Sequence, residues 1–491
     1  MRNAYDSAAV YAAEAALMQD VPADSLMATA AQAVAAQVIE LLQPGLTSAR
    51  IVVITGAGNN GGDALFAGAV IAGRGATVTA VTVADSWHTA GADALLAAGG
   101  RLLAATDSGA AEAVRAADLV IDGIVGIGAS GAIRPPAVDM VRLIRPYTWV
   151  VAVDVPSGVD PSTGVVADPD AVISADVTVT FGVCKAAQFL PPGRDRYGVP
   201  RLVDIGLGPA IESQQPRFSV LDTADATEFF AAPGVDDYKY SHGVLGVVAG
   251  CGEYPGAPHM VVGSARHSGT GMVRLWQDPT APEVATAVVM RFPDTVCARE
   301  VGDDRATAWT VGPGMGVGDD RIELVAAALA TQLPVVVDAD ALTLVSRSGE
   351  LRRAIQDRSA PTVLTPHVGE FTRLGFTLTD DRLADARNAA AQLDAVVLLK
   401  GPGTVIADPE GAAFVDIMGP AALATAGTGD ALSGIIGAVL SRHPTDVPKA
   451  VAAAVLVHGL AARFASQDGR PMTAWDLVGA IPDAVVEVRS R

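Results

Sequence analysis

The feature that most constrains this chain is an alternation repeated almost end to end. Short β-branched runs, Ile51 to Thr55, Thr77 to Val83, Leu119 to Ile121, Trp149 to Val153 and Val177 to Phe181, are separated by Ala-rich stretches of helix length. Runs of this kind divided by helical intervals belong to βαβ units, which build a parallel sheet buried under helices on both faces. The pattern lapses into a segment rich in Pro, Gln, Asp and Tyr, then resumes with Val244 to Ala249, Met272 to Leu275, Ala308 to Val311, Val335 to Val337, Thr362 to Leu364 and Ala395 to Leu399. At 491 residues the chain is too long for one ordinary domain. Two different α/β domains are therefore expected, at 1–215 and 236–491, with a linker over 216–235. The halves share no motif, so a duplication is not indicated.

Composition narrows the partners. Lys plus Arg number 34 against 54 Asp plus Glu, a net charge of −20, which repels a nucleic-acid backbone or an anionic membrane. Any phosphate must be held locally, by backbone amides and a few placed cations. The apolar stretches near 431–440 and 450–462 are shorter than the roughly 20 residues a bilayer demands and read as buried helices. Residues 1–22 carry Asp6, Glu14 and Asp20 where a targeting segment would be basic and then apolar. Three widely spaced cysteines, Cys184, Cys251 and Cys297, suggest neither a disulfide framework nor a zinc site, and a reducing cytoplasm is expected.

In the first half, the strand ending at Thr55 runs into G-A-G-N-N-G-G-D, residues 56–63. Gly56, Gly58 and Gly61 satisfy the Rossmann spacing, in which a diphosphate rests on a helix N-terminus. Asn59, Asn60 and Asp63 are out of place there, because Asp63 would repel a diphosphate. They suit a cation and a polar substrate head, unless Asn59 or Asp63 merely caps the helix. Two further strand ends carry D-G-I-V-G-I-G, residues 122–128, and D-V-P-S-G-V-D, residues 154–160. Asp63, Asp122 and Asp154 should then converge at the carboxyl edge of one sheet, where a bound cation or a held proton must relieve their repulsion.

These motifs, with F-G-V-C-K at 181–185, resemble the NAD(P)H-hydrate epimerase domain over about residues 1–205. The resemblance implies that Asn59, Asn60, Gly61, Gly62 and Asp63, with Gly126, Ile127, Gly128, Ala129, Ser130, Gly131 and Ala132, hold the hydrated dinucleotide. It implies Asp154 as the acid/base group at the ring, and Asn60, Asp122 and Ser157 as ligands of a potassium ion. Ala64 departs from the family pattern, which has a further glycine there.

The second half lacks a Walker-type loop. Its strongest motif is A-T-A-G-T-G-D-A-L-S-G, residues 424–434, running into an apolar helix. Gly427 and Gly429 let backbone amides face one point at a helix start, an anion hole for a transferring phosphate. Asp430 beside it is suited to accept a proton from the attacking hydroxyl, or else is an ordinary N-cap or first-turn acid. The loop resembles that of the ribokinase-like superfamily. With Y-P-G-A at 254–257, V-G-P-G-M-G at 311–316, V-D-A-D-A-L at 337–342, L-T-P-H-V-G-E-F at 364–371 and L-L-K-G-P-G-T at 398–404, it resembles the ADP-dependent NAD(P)H-hydrate dehydratase over about residues 235–491. The resemblance implies that Ala257, Gly316, His367 and Asp430 meet the hydrated dinucleotide. Lys400, Gly401, Pro402, Gly403, Thr404, Gly427 and Gly429 would hold the nucleotide. Met418 and Ala421 stand where relatives carry Asn.

The expectation is an α/β chain with an N-terminal Rossmann-like three-layer αβα sheet and a C-terminal ribokinase-like domain. It is expected to repair hydrated NADH and NADPH with ADP as co-substrate, K+ in the first domain and Mg2+ in the second. No nucleic acid or membrane partner is expected, and a homo-oligomer is. A vitamin-precursor kinase fused to a non-catalytic dinucleotide-binding module is the competing reading, separated by whether free phosphate or a phosphorylated product is released.

Overall fold

A computed structural model describes residues 1–128, 130–302 and 305–490. The chain forms two compact units, Asn3–Arg217 and Phe218–Arg491, the latter joined by Met1–Arg2.

In the first unit seven strands pair in parallel, in the order Arg101–Ala104, Thr77–Thr82, Arg50–Thr55, Leu119–Gly123, Trp149–Val153, Val177–Phe181 and Val199–Val203. Side chains alternate across a strand, and Arg50–Thr55 shows the consequence. Ile51 and Val53 enter a core with Val34 and Val38 of the helix Ala23–Leu42 and Leu65 of the helix Asn59–Ala72. Val52 and Ile54 enter a second core with Val114 and Met140. Two apolar faces require two helical layers, and this is the three-layer αβα sandwich.

In the second unit the strands Val296–Ala298, Met272–Trp276, Val244–Val248, Ala308–Val311, Val335–Val337, Thr362–Leu364 and Val396–Leu399 are parallel neighbours in that order. Thr404–Ala407 and Ala413–Asp416 extend the sheet antiparallel, and Phe218–Val220 pairs in parallel with the last of these. Helices Ala257–His267, Thr428–Leu440, Val447–Ala465 and Ala474–Arg489 pack one continuous core. The approach of two of them is very close. A Cβ on Gly434 would lie 2.3 Å from the Val261 carbonyl oxygen, so only glycine fits there.

Two expectations need correction. The stretch 216–235 is not a plain linker, because Phe218–Val220 is a sheet strand and Asp222 and Asp225 cap the helix Thr223–Ala226 reciprocally. Phe229 and Phe230 are then buried in the core of the second unit. Apolar side chains at 218, 221, 229 and 230 outweigh the Pro and Gln content that suggested a loop. The apolar stretch near 450–462 also proves longer than expected. Val447–Ala465 spans 19 residues with mean hydropathy 1.4, long and apolar enough to cross a bilayer, but 78% of it is buried inside the unit. Ser25–Leu42 passes the same length and hydropathy test with 33% buried.

Candidate active sites

In the first unit the chain leaves Arg50–Thr55 in one direction and returns to Leu119–Gly123 on its other side, which makes a crevice at the carboxyl edge between these strands. A cleft of about 500 Å³ lies there, lined by Gly56 and Ala57 from one strand end, Ile124 and Val125 from the other, and Gly128 and Ser130 beyond. Gly131 and Ala132 also line it, whereas Ala129 lies outside the described residues. The turn is tight: a Cβ on Gly61 would stand 2.4 Å from the Gly56 carbonyl oxygen, and one on Gly56 2.1 Å from that of Ile124.

Neither Asn59 nor Asp63 caps the helix. Gly58 is its N-cap and makes no side-chain cap bond, so Asn59 to Asp63 form the opening turn. Asn59 is exposed, Asn60 and Asp63 are half-buried, and Gly61 and Gly62 are buried. The Asn60 amide donates to the Val125 carbonyl at 3.0 Å. A Cβ on Gly126 would lie 3.2 Å from the Asn60 side chain, and Ile127 is buried behind this loop. Ala64, the departure from the family pattern, is accommodated by Gly123, where a Cβ would come within 2.4 Å of the Ala64 methyl.

The three carboxylates converge only in part, and each is relieved differently. Asp154 has φ of +65°, a conformation non-glycine residues rarely adopt and which recurs at functional sites. Its Oδ1 accepts from Lys185 Nζ at 2.6 Å, Thr180 Oγ1 at 3.2 Å and the Phe181 amide at 3.2 Å. All three donors use Oδ1, and among the described residues none is given to Oδ2. Asp63 instead is pushed up to about 8, by burial first and then by Asp154 and Glu14, so it holds a proton at neutral pH. Asp122, fully buried, is set apart from this pair. It accepts from the Ser157 hydroxyl at 2.7 Å and from the Ser157 and Ile124 amides at 2.8 and 3.2 Å. Burial lifts it to about 6 against these hydrogen bonds.

Ser157 Oγ also accepts from the Val125 amide at 3.2 Å. Asp122, Ser157, Asn60 and the Val125 carbonyl thus gather oxygen donors and a single carboxylate around one loop. An all-oxygen set with one negative charge fits a hard monovalent cation such as K+. Sequence reasoning missed Tyr11 and Glu14, brought in by the helix Ser7–Leu17. Burial first, and then nearby acids that include Asp154, raises both, and a Cβ on Gly128 would lie 2.6 Å from the Tyr11 hydroxyl. No motif surrounds either residue, so no local signal could have found them.

In the second unit five strand ends and one helix start meet. Gly427, with φ of +87°, is the N-cap of Thr428–Leu440, so Asp430 is not a cap but a first-turn acid. Asp430 is pushed up to about 7, by burial first, then by Asp338, with Lys400 opposing and Asp340 and Glu370 adding. That value suits a general base near neutral pH. Beneath the turn, buried His458 meets the Thr428 carbonyl at 2.9 Å, and burial drives it down to about 4, so it is a neutral donor.

Lys400 ends the strand Val396–Leu399, and its Nζ lies 2.8 Å from Asp338 Oδ1 and 3.9 Å from Glu370 Oε2. A Cβ on Gly429 would be 3.4 Å from that Nζ, which brings the ammonium to the glycine turn. Gly401, Pro402 and Gly403 make the hairpin to Thr404–Ala407, and Arg382 donates to the Lys400 carbonyl at 3.1 Å. The Thr404 hydroxyl closes back on the Gly401 carbonyl at 3.1 Å. The Gly316 amide donates to Asp340 at 2.9 Å, and a Cβ on neighbouring Gly314 would touch Ala257 at 2.8 Å. Ala257 is the first residue of its helix.

His367 is the N-cap of Val368–Arg373: its Nδ1 accepts from the Gly369 amide at 2.9 Å, and Glu370 accepts from the His367 amide in return. Its Nε2 lies 3.5 Å from Glu370, and the side chain is 54% exposed. Met418 packs against the apolar core, and a Cβ on Gly459 would lie 2.9 Å from the Gly419 amide nitrogen. The residue standing in place of Asn thus serves loop packing. Asp338, Asp340, Glu370 and Ser433 lay within or beside quoted motifs without being singled out. The signal available was an acid directly after an apolar strand.

Two parallel α/β units, the second with a glycine turn at a helix start and an acid in the first turn, define an enzyme that joins a Rossmann-like domain to a ribokinase-like one. A ribokinase-like superfamily protein from Enterococcus faecalis shares the second architecture, with a TM-score of 0.50 and 24% identity over 56% of this chain and 98% of that one. The family model described as NAD(P)H-hydrate dehydratase matches residues 245–483, and that of the YjeF-related protein N-terminus matches 23–187. The chain is 40% identical to the bifunctional NAD(P)H-hydrate repair enzyme Nnr of Mycobacterium leprae, over 96% of each chain. It is also 40% identical to the Mycobacterium tuberculosis protein of that name, over 90% of this chain and 89% of the relative. The chain belongs to the family of bifunctional NAD(P)H-hydrate repair enzymes.

Proposed function

We propose that this chain restores hydrated NADH and NADPH. The first unit interconverts the R and S epimers at carbon 6 of the ring, and the second dehydrates the S epimer at the expense of ADP, releasing AMP and phosphate. The observation that carries the reading is Asp430, an acid poised near neutrality in the first turn of a helix whose glycine amides and Lys400 form an anion site.

Hydroxide leaves a ring carbon poorly at neutral pH, and a phosphate ester leaves well. Asp430 takes the proton from the carbon-6 hydroxyl as its oxygen bonds to the terminal phosphorus of ADP and the anhydride bond to AMP breaks. The Gly427 to Gly429 amides and Lys400 carry the charge that builds on the phosphoryl oxygens. The ring nitrogen lone pair then expels phosphate, and loss of a carbon-5 proton restores the double bond. Residues 400–404 hold the nucleotide, and Ala257, Gly316 and His367 meet the dinucleotide. Mg2+ would accompany ADP and offset its charge. Among the described residues no three His, Cys, Asp or Glu side chains are grouped to hold a metal; phosphate oxygens would supply much of the shell, as is usual for this ion.

In the first unit, residues 59–63 and 126–132 cradle the dinucleotide, and Asp154 moves the proton at carbon 6 with its free Oδ2. Asn60, Asp122 and Ser157 would hold K+, whose charge would offset that of buried Asp122. With no disulfide among its three cysteines, a reducing cytoplasm is the proposed setting.

The test is to supply each purified epimer with ADP or ATP and follow the near-ultraviolet absorbance of the reduced nicotinamide. Recovery that needs nucleotide and releases one free phosphate per cofactor is expected. A stable phosphorylated alcohol as product would support the kinase reading instead.

A further inference from the structure

We infer that Asp338 is a positioning residue for phosphoryl transfer: it holds the Lys400 ammonium against the first turn of the anion-binding helix, where that ammonium meets the transferring group. The inference rests on the ADP-dependent reading above.

Asp338 is 1% exposed, follows the strand Val335–Val337, and has both carboxylate oxygens occupied by protein. Oδ1 accepts from Lys400 Nζ at 2.8 Å and from the Thr365 hydroxyl at 2.7 Å. Oδ2 accepts from the Ser433 hydroxyl. Buried and bonded to protein on both oxygens, it is closed to substrate. Its partners come from three other places in the fold. Thr365 follows the strand Thr362–Leu364, Lys400 follows Val396–Leu399, and Ser433 stands one turn beyond Gly429 on the helix. One carboxylate thus ties the nucleotide-loop lysine, a central strand end and the anion-binding helix together.

An ammonium has three N–H donors. Among the described residues Lys400 spends one on Asp338, and Glu370 at 3.9 Å lies beyond hydrogen-bond range. Two donors are left at a side chain 20% exposed, beside Gly429. That is the disposition needed to bind oxygens of a phosphoryl group resting on the Gly427 to Gly429 amides. Asp338 supplies direction as well as charge balance. A lysine stem is flexible, and a carboxylate fixed by two hydroxyls limits where its ammonium can lie.

The experiment compares Asp338→Asn and Asp338→Glu with the full-length wild type. Asp338→Asn should lower kcat for ADP-dependent dehydration on the order of 100-fold, as when one preorganised donor is lost, with little change in the KM for ADP. Asp338→Glu, which keeps the charge, should recover part of that loss. Independently of turnover, Lys400 in Asp338→Asn should react faster with an amine acylating reagent, read by peptide mass spectrometry, because a buried ammonium without its carboxylate gives up its proton more readily. Wild-type kcat in Asp338→Asn would overturn the inference. So would a lost kcat with unchanged Lys400 labelling, which would mark a merely structural role. If Asp338→Asn does not fold, Ser433→Ala and Thr365→Val should show the same two signatures at smaller size, and wild-type behaviour in both would overturn it. Absence of nucleotide-dependent dehydration in the wild type would overturn the functional reading, while the labelling comparison would still decide whether Asp338 holds Lys400.

Discussion

Replacing Asp430 by Asn should inactivate the second unit and stabilise it. The carboxyl is raised from 3.8 to about 7, chiefly by burial and by the charge of Asp338. A carboxyl whose folded-state value lies above its unfolded one costs nothing below the unfolded value. The cost grows as pH rises between the two and is complete above the folded one. At about 1.4 kcal/mol per tenfold change in proton affinity, the ceiling at pH 8 is about 4 kcal/mol. The group is only half-buried, and solvent screening reduces this to about 1–2 kcal/mol. Asparagine carries no such cost, so at pH 8 the transition of the second unit should rise by about 3–6 °C in differential scanning calorimetry without nucleotide. At pH 5.5 the gain should be roughly half as large, because about half of the titration interval has then been crossed. Dehydration should fall by about 10²- to 10⁴-fold, the usual contribution of a general base, with epimerisation unchanged. Identical melting of variant and wild type at both pH values would refute the electrostatic argument. Retained nucleotide-dependent dehydration would refute the assignment of the base.

In the wild type kcat/KM for dehydration should rise with pH to half its limit near 7, since free-enzyme Asp430 must be ionised to accept a proton; a flat profile from pH 6 to 8 would count against it. Asp154→Asn should abolish epimerisation of the R hydrate, measured by chromatography of the epimers, and leave dehydration of the S hydrate intact. Lys185→Met would leave the 2.6 Å ion pair with one buried charge uncompensated, and should destabilise the first unit by about 3–5 kcal/mol in urea unfolding. Gly61→Ala should also disrupt the first unit, because its Cβ would meet backbone at 2.4 Å, and the second unit's nucleotide-dependent activity should survive it.

Several elements were legible from residues alone because their signals are local. Ile51 to Thr55 and Val335 to Val337 announce themselves by β-branched runs before glycine or an acid, and they lie where expected. The G-T-G-D string fixes a helix start with its acid in the first turn, since glycine takes the φ of +87° that opens it without strain. The segment 218–230 misled because Gln214, Gln215 and Pro216 just before it are a local loop signal, whereas its strand pairing and the burial of Phe229 and Phe230 come from partners far along the chain.

By itself the sequence determined two α/β layouts, the glycine turns at their strand ends and the acids that follow, since periodicity and turn chemistry depend on neighbours in the chain. Only the tertiary structure decided which acid is which. Asp63 holds a proton, Asp154 is paired with Lys185, and Asp122 is walled in by Ser157. It also brought Tyr11 and Glu14 to the first site and set Asp338 beneath Lys400 in the second. The state of a carboxyl is set by burial and by charges within a few ångströms, and these are supplied by residues tens to hundreds of positions away.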